Sequence, residues 1–299
     1  MAYSGNVSSS GRQEESGRSD PPETELAFVL SGGGSLGSVQ VGCLESLIQN
    51  RIFPDLIVGT SVGALNGVWL AKNVTLEGVT KLKELWLSLG PHGPFRESRI
   101  RVLMRLLLGR KYLYANETLR KLVCQYVGDT NFDDLQVPIM VIATEMETGK
   151  PEVFSQGKLE PAVLASTAIP GVFPSVKIGN VEYIDGAMMS NCGLKPAWDH
   201  GARRMVVIET PHILPDRGYG VLKPLVHALS VSLRSLCHLE VELFSQKCSV
   251  VVLEPEVSMQ TLAFNDFSRS EVLMEMGKAW TNNLLQSDQG ELLRSFSKP

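Results

Sequence analysis

Cysteine is scarce and scattered. Cys43, Cys124, Cys192, Cys237 and Cys248 are the whole set in 299 residues, and no two form a C-x-x-C pair. That pattern argues against metal or disulfide use and suits a reducing, cytoplasmic setting. Long apolar runs are missing too. No uncharged stretch approaches the roughly 18 residues that a membrane-spanning helix needs. Basic charge is not in excess: 28 Lys and Arg against 32 Asp and Glu leave a net charge of −4. Nothing therefore draws the whole chain to nucleic acid, and a basic footprint for a membrane surface has to be local. The first 25 residues contain no apolar core and are Ser/Gly-rich. They are expected to form a disordered tail, and without an h-region they are not a secretory signal.

What remains, residues 26–299, is long enough for one large core and has no linker-like break, so a single domain is expected. Leu26–Leu30, Asp55–Gly59, Pro138–Thr144, Met205–Glu209 and Ser249–Leu253 are short continuous apolar runs. Glu182–Ile184 forms another, ending at Asp185. Helical spacing separates several of them, as in Val41, Leu44, Leu47 and Ile48. Uninterrupted apolar strands alternating with helices predict an α/β fold of three layers: a mostly parallel central sheet with helices on both faces. Residues 96–114 are basic and apolar together. A lid or membrane-contacting helix is one reading, and a core-packing helix with solvated arginines is the favoured one. Residues 221–244 read as an ordinary amphipathic helix.

Gly59-Thr60-Ser61-Val62-Gly63 lies between the second strand and an apolar helix. Glycines two residues either side of a serine leave room for a sharp strand-to-helix turn that pushes the hydroxyl outward. Ser31-Gly32-Gly33-Gly34-Ser35-Leu36-Gly37 follows the first strand in the same manner. Gly32, Gly34 and Gly37 match the dinucleotide fingerprint in spacing, but that fingerprint also wants an acid at the end of the second strand. Asp55 stands at its beginning instead. The other use of such a nest is to hold an oxyanion with backbone amides. A serine nucleophile needs a base. Among five histidines, only His212, just past a strand end, is suitably placed; His92, His200, His227 and His238 sit in no motif. Asp185-Gly186-Ala187 offers a carboxylate at a strand end beside a glycine, although Asp-Gly is also an ordinary turn.

These blocks, in this order, resemble the patatin-like phospholipases of the soluble bacterial type, related to the catalytic domains of neuropathy target esterases. The likeness rests on Gly32-Gly33-Gly34-x-x-Gly37, Gly59-x-Ser61-x-Gly63, Asp185-Gly186-Ala187 and the proline-containing segment Ala165–Val176, continued by Asn191 and Pro196. It implies a Ser–Asp dyad, with Ser61 as nucleophile and Asp185 as base. It also implies an oxyanion hole at the loop formed by Gly32, Gly33, Gly34, Ser35 and Gly37, and no metal or cofactor. The implied activity is hydrolysis of fatty acyl esters of phospholipids or lysophospholipids through an acyl-enzyme, with at most transient contact with a membrane surface. An acyltransferase or a non-catalytic lipid-binding protein of the same fold are the alternatives. One departure stands out: Leu36 occupies a position where the family commonly carries Arg or Lys.

Overall fold

Strands that are apolar over consecutive positions need cover on both faces, and the molecule supplies it. The computed structural model describes residues 26–91, 93–95, 104, 107–109, 111–211, 223–256 and 265–298. Eight strands form one sheet: β1 (Leu26–Leu30), β2 (Leu56–Thr60), β3 (Ile139–Glu145), β4 (Pro151–Phe154), β5 (Val176–Ile178), β6 (Val181–Asp185), β7 (Arg204–Ile208) and β8 (Ser249–Leu253). Around it lie α1 (Ser38–Gln49), α2 (Val62–Lys72), α3 (Leu76–Ser88), α4 (Asn116–Val127), α5 (Leu159–Ser166), α6 (Leu194–Asp199), α7 (Lys223–Ser245) and α8 (Ser270–Gln286). The order is β5-β6-β3-β2-β1-β7-β8, with β4 also on β3. The β3-β2-β1-β7-β8 block is parallel, whereas β4, β5 and β6 join antiparallel.

Successive strand residues feed two different cores. Leu26, Phe28 and Leu30 of β1, with Ile57 of β2 and Val206 and Ile208 of β7, pack into a large cluster under α1 to α5 and α8. Ala27, Val29, Leu56, Val58, Met205 and Val207 point the other way, onto α6 and α7. Period-two alternation between two apolar layers is why the runs show no polar positions. Each fully buried aliphatic side chain contributes about 1.5–3 kcal/mol.

Two features of the register position the site. Chain order reverses at β1, which lies between β2 and β7. The carboxyl ends of these strands therefore border a crevice, the usual place for a site in such sheets. The second feature concerns β3. Its partner β2 stops at Thr60 opposite Ile142, while β6 begins pairing at Ala143, opposite Asp185. Because β4 pairs with Val141–Thr144, overlapping both, β2 and β6 must share the other edge of β3. The end of β6 therefore meets the end of β2 almost head-on.

One expectation from the sequence needs correction. Cys192 and Cys237 form a disulfide, with Cα atoms 5.4 Å apart across a sequence separation of 45. The absence of a C-x-x-C pair says nothing about cysteines that a crossover brings together, so the chain does use a disulfide, and the reducing setting inferred from its absence loses that support. Most of the basic segment, 96–103, 105–106 and 110, lies outside the described residues; of the rest, Met104, Leu107 and Leu108 are exposed and Tyr114 packs against the large core. On α7, Cys237 and Phe244 are buried as expected of an amphipathic helix, while Leu229, Leu236, Leu239 and Leu243 are exposed alongside Ser232, Ser235 and Glu242. His92, His212 and the expected tail lie outside the described residues. Among the described residues, no helix is long and apolar enough to cross a membrane.

Candidate active site

The turn after β2 is strained as its glycines suggest. Ser61 adopts φ 54° and ψ −122°, a conformation that a non-glycine residue holds only when its surroundings impose it. Close packing imposes it here: a Cβ on Gly59 would lie 2.6 Å from Ala64 Cα, and one on Gly63 would collide with the Leu30 carbonyl. The Ser61 amide donates to Ser166 Oγ at 2.8 Å. Its side chain then faces the end of β6. Ser61 Oγ donates to Asp185 Oδ2 at 2.6 Å, across 124 residues of sequence.

Asp185 is held independently of the serine. Its other oxygen, Oδ1, accepts the Ala187 amide at 2.9 Å, and its own amide donates to the Ala168 carbonyl at 3.0 Å. Ser61 and Asp185 are both buried, with 6 % and 2 % of their surface exposed. Burial penalises the carboxylate and pushes Asp185 up from 3.8 to about 7, while the bonds from Ser61 and Ala187 partly offset the rise. A base poised near neutrality is the arrangement that proton transfer favours.

The glycine loop crosses directly over Ser61, since a Cβ on Gly32 would sit 3.1 Å from Ser61 Cβ. The five loop residues divide by what their backbone does. The Gly32 amide donates to Asn191 Oδ1 at 3.0 Å, so it anchors the loop and is not open to an oxyanion. Its carbonyl accepts the Thr210 hydroxyl at 2.6 Å. Gly33 passes so close to Thr210 that a Cβ would lie 2.6 Å from the threonine Cβ. Gly34, at φ 60°, lines the same cleft as Ser61. Ser35 and Gly37 are buried in the single 3-10 turn, Gly34–Gly37, that leads into α1. Leu36 turns inward and joins the large core, which accounts for an apolar residue there.

The cleft beside Ser61 is narrow, with a volume of about 40 Å³, and it opens to solvent. Its walls include Leu65, Trp86, Phe95, Phe173 and Phe267, and none of the described residues lining it is a histidine. Ile169 and Phe173, from the proline-containing segment, form part of that wall. A larger cleft of about 500 Å³ lies on the other side of the sheet, bounded by Met140, Met189 and Glu240. The carboxylate of Glu240 there is occupied by Ser190 Oγ and the Leu194 amide. One group among the described residues could hold a cation: Glu209, His238 and Glu254 bring one ligand atom each within 4.8 Å of one another. Arg234 already pairs with Glu254 at 2.5 Å. Asp55, the acid that a dinucleotide site would have needed, lies at the opposite ends of the strands, bonded to the Leu26 amide.

Comparison with known proteins identifies the architecture. A model of the patatin-like phospholipase family matches residues 28–198, more than half of the chain. The chain belongs to the patatin-like phospholipase family. It is similar to patatin-like phospholipase domain-containing protein 7 of Rattus norvegicus, at 26 % identity over 187 residues, 62 % of this chain and 13 % of that one. An uncharacterised NTE family protein of Mycobacterium bovis is 24 % identical over 203 residues, 67 % of this chain and 33 % of that one. The chain thus spans a third or less of the length of these two relatives. Among solved structures, VipD from Legionella pneumophila is similar with a TM-score of 0.48 and 15 % identity, covering 89 % of this chain and 67 % of that one.

Four contributors to the site escaped sequence reading in their roles. Ser166 lies within the proline-containing segment, yet only the fold shows it bonded to the Ser61 amide. Thr210 carries the one available signal, its place just past the carboxyl end of an apolar strand. Gln40 and Asn66 lie in helices, where their spacing reads as nothing more than polar positions.

Proposed function

We propose that this protein is a serine lipid acyl hydrolase that works through a Ser61–Asp185 dyad. The observation that carries the reading is the 2.6 Å bond from Ser61 Oγ to Asp185 Oδ2 at the mouth of an apolar cleft. Asp185 as carboxylate accepts the Ser61 proton while Oγ attacks the ester carbonyl carbon. The amides of Gly33 and Gly34 face the charge that develops on the carbonyl oxygen, each such donor worth about 3 kcal/mol of barrier. The tetrahedral adduct collapses, the C–O bond to the alcohol breaks, and the departing oxygen takes the proton from Asp185. Water then enters, gives a proton to Asp185 and attacks the acyl carbon. The acid is released as Ser61 Oγ recovers that proton. The chemistry closes with protein side chains and water alone.

The apolar walls favour an alkyl chain over a polar acyl group, which supports fatty acyl esters of phospholipids or lysophospholipids as the substrate class. The test is labelling of the intact protein with a fluorophosphonate, followed by peptide mapping, alongside ester hydrolysis. Capture at Ser61, with loss of turnover in Ser61→Ala and in Asp185→Asn, is expected. Near-normal turnover in Asp185→Asn would remove the dyad.

A further inference from the structure

Behind the glycine loop lies a chain of buried polar side chains that the dyad chemistry does not use. Gln40 of α1 and Asn66 of α2 are completely buried, and Trp86 of α3 is 1 % exposed. Trp86 Nε1 donates to Asn66 Oδ1 at 2.9 Å. The Asn66 amide nitrogen donates to the Gly37 carbonyl at 2.9 Å and to Gln40 Oε1 at 3.0 Å. The Gln40 amide nitrogen in turn donates to the Ser31 carbonyl at 2.9 Å and the Ile208 carbonyl at 3.0 Å. Ser31 and Gly37 are the two ends of the loop. Both ends are therefore gripped by one network, and every amide hydrogen in it is used.

Such a network has a single allowed orientation. Turning over either amide would face a nitrogen with a nitrogen or an oxygen with a carbonyl, in a place that water does not reach. Networks satisfied to this degree rigidify what they touch. What they touch here is the backbone whose N–H directions must be set before an oxyanion forms, because donors that are aimed in advance cost no reorganisation in the transition state. The far end of the network is functional in a second sense. Trp86 lines the cleft together with Ser61 and Gly34. An acyl chain in the cleft packs on the indole whose N–H starts the chain of bonds to the loop.

We propose that Gln40 and Asn66 are positioning residues for the oxyanion loop, and that Trp86 couples occupancy of the acyl cleft to them. This inference rests on the hydrolase reading above. Its consequence is that acyl length is read in kcat more than in KM, since contact with the indole is converted into loop order that acts in the transition state.

The experiment compares p-nitrophenyl acetate and decanoate in the wild type, Trp86→Phe and Gln40→Met, with Ser61→Ala as blank. Trp86→Phe keeps an aromatic wall while removing the donor to Asn66 and part of the indole's bulk. Expected is a wild-type kcat that rises from acetate to decanoate, a rise lost in Trp86→Phe at nearly unchanged KM. In Gln40→Met, kcat should fall about 10- to 100-fold on both esters, with the pH midpoint of kcat/KM unmoved because Asp185 is untouched. Wild-type kcat values in both variants, or losses confined to KM, would overturn the proposal. So would a Gln40→Met loss that simply tracks the unfolded fraction seen by circular dichroism. If Gln40→Met does not fold, the chain-length ratio of Trp86→Phe decides alone. No hydrolysis above the Ser61→Ala blank in the wild type would instead sink the hydrolase reading.

Discussion

Replacing Asp185 by asparagine should make the protein inactive and, above neutral pH, more stable. Burial raises the Asp185 carboxyl from 3.8 to about 7 in the folded protein. In the unfolded chain the same group ionises near 3.9. Between those values the native state keeps a proton that the unfolded state has lost, so stability falls as pH rises from about 4 to about 7, then levels off. A displacement of that size corresponds to about 4 kcal/mol of native stability given up to hold an ionised base above pH 7. Asparagine has the same shape and no charge to bury. Its Oδ1 can still accept the Ala187 amide, and its Nδ2 can donate to Ser61 Oγ. Urea unfolding of both proteins at pH 5 and pH 9 measures the difference. The variant should gain up to about 4 kcal/mol at pH 9 and much less at pH 5. An Asp185→Asn protein less stable than the wild type at pH 9, or a difference that ignores pH, would refute the burial argument.

Other consequences are open to measurement. The rising limb of kcat/KM against pH should have its midpoint near 7, where Asp185 gains its charge; a midpoint near 4 would show that burial does not tune the base. Ser61→Gly should be more stable than Ser61→Ala by about 1 kcal/mol in urea titrations, because glycine accepts the positive φ of that turn at no steric cost. Asn191→Ala strands the buried Gly32 amide and should cost about 1–3 kcal/mol of stability together with activity, measured by urea unfolding and ester hydrolysis. Reducing the Cys192–Cys237 bond, or replacing both cysteines, should lower stability by about 2–4 kcal/mol; unfolding in the presence and absence of reductant gives the number.

Local chemistry carried much of this molecule into plain view. The elbow at Ser61 and the nest at Gly32–Gly34 were legible because backbone demands of that severity leave glycines at set spacings. The buried strands were legible because two-sided burial keeps the middles of β1, β2, β3 and β7 apolar. The short antiparallel strands β4 and β5 escaped, with three or four residues each and exposed positions among them. The disulfide escaped because cysteines 45 residues apart carry no local sign of meeting. Among the loop glycines, the sequence treats Gly32 like its neighbours, and only the approach of Asn191 sets its amide apart.

Residue order alone therefore settles the kinds of turn, the apolar layers and the presence of a hydroxyl and a carboxyl at strand ends. It is silent on distance. That Ser61 and Asp185 meet at 2.6 Å follows from β6 taking over the edge of β3 one residue after β2 leaves it, a matter of strand register. That Asp185 titrates near neutrality follows from the bulk of protein packed around it, which no single stretch of chain contains. Backbone preferences are local and so are written locally, whereas proximity and desolvation are sums over the whole fold.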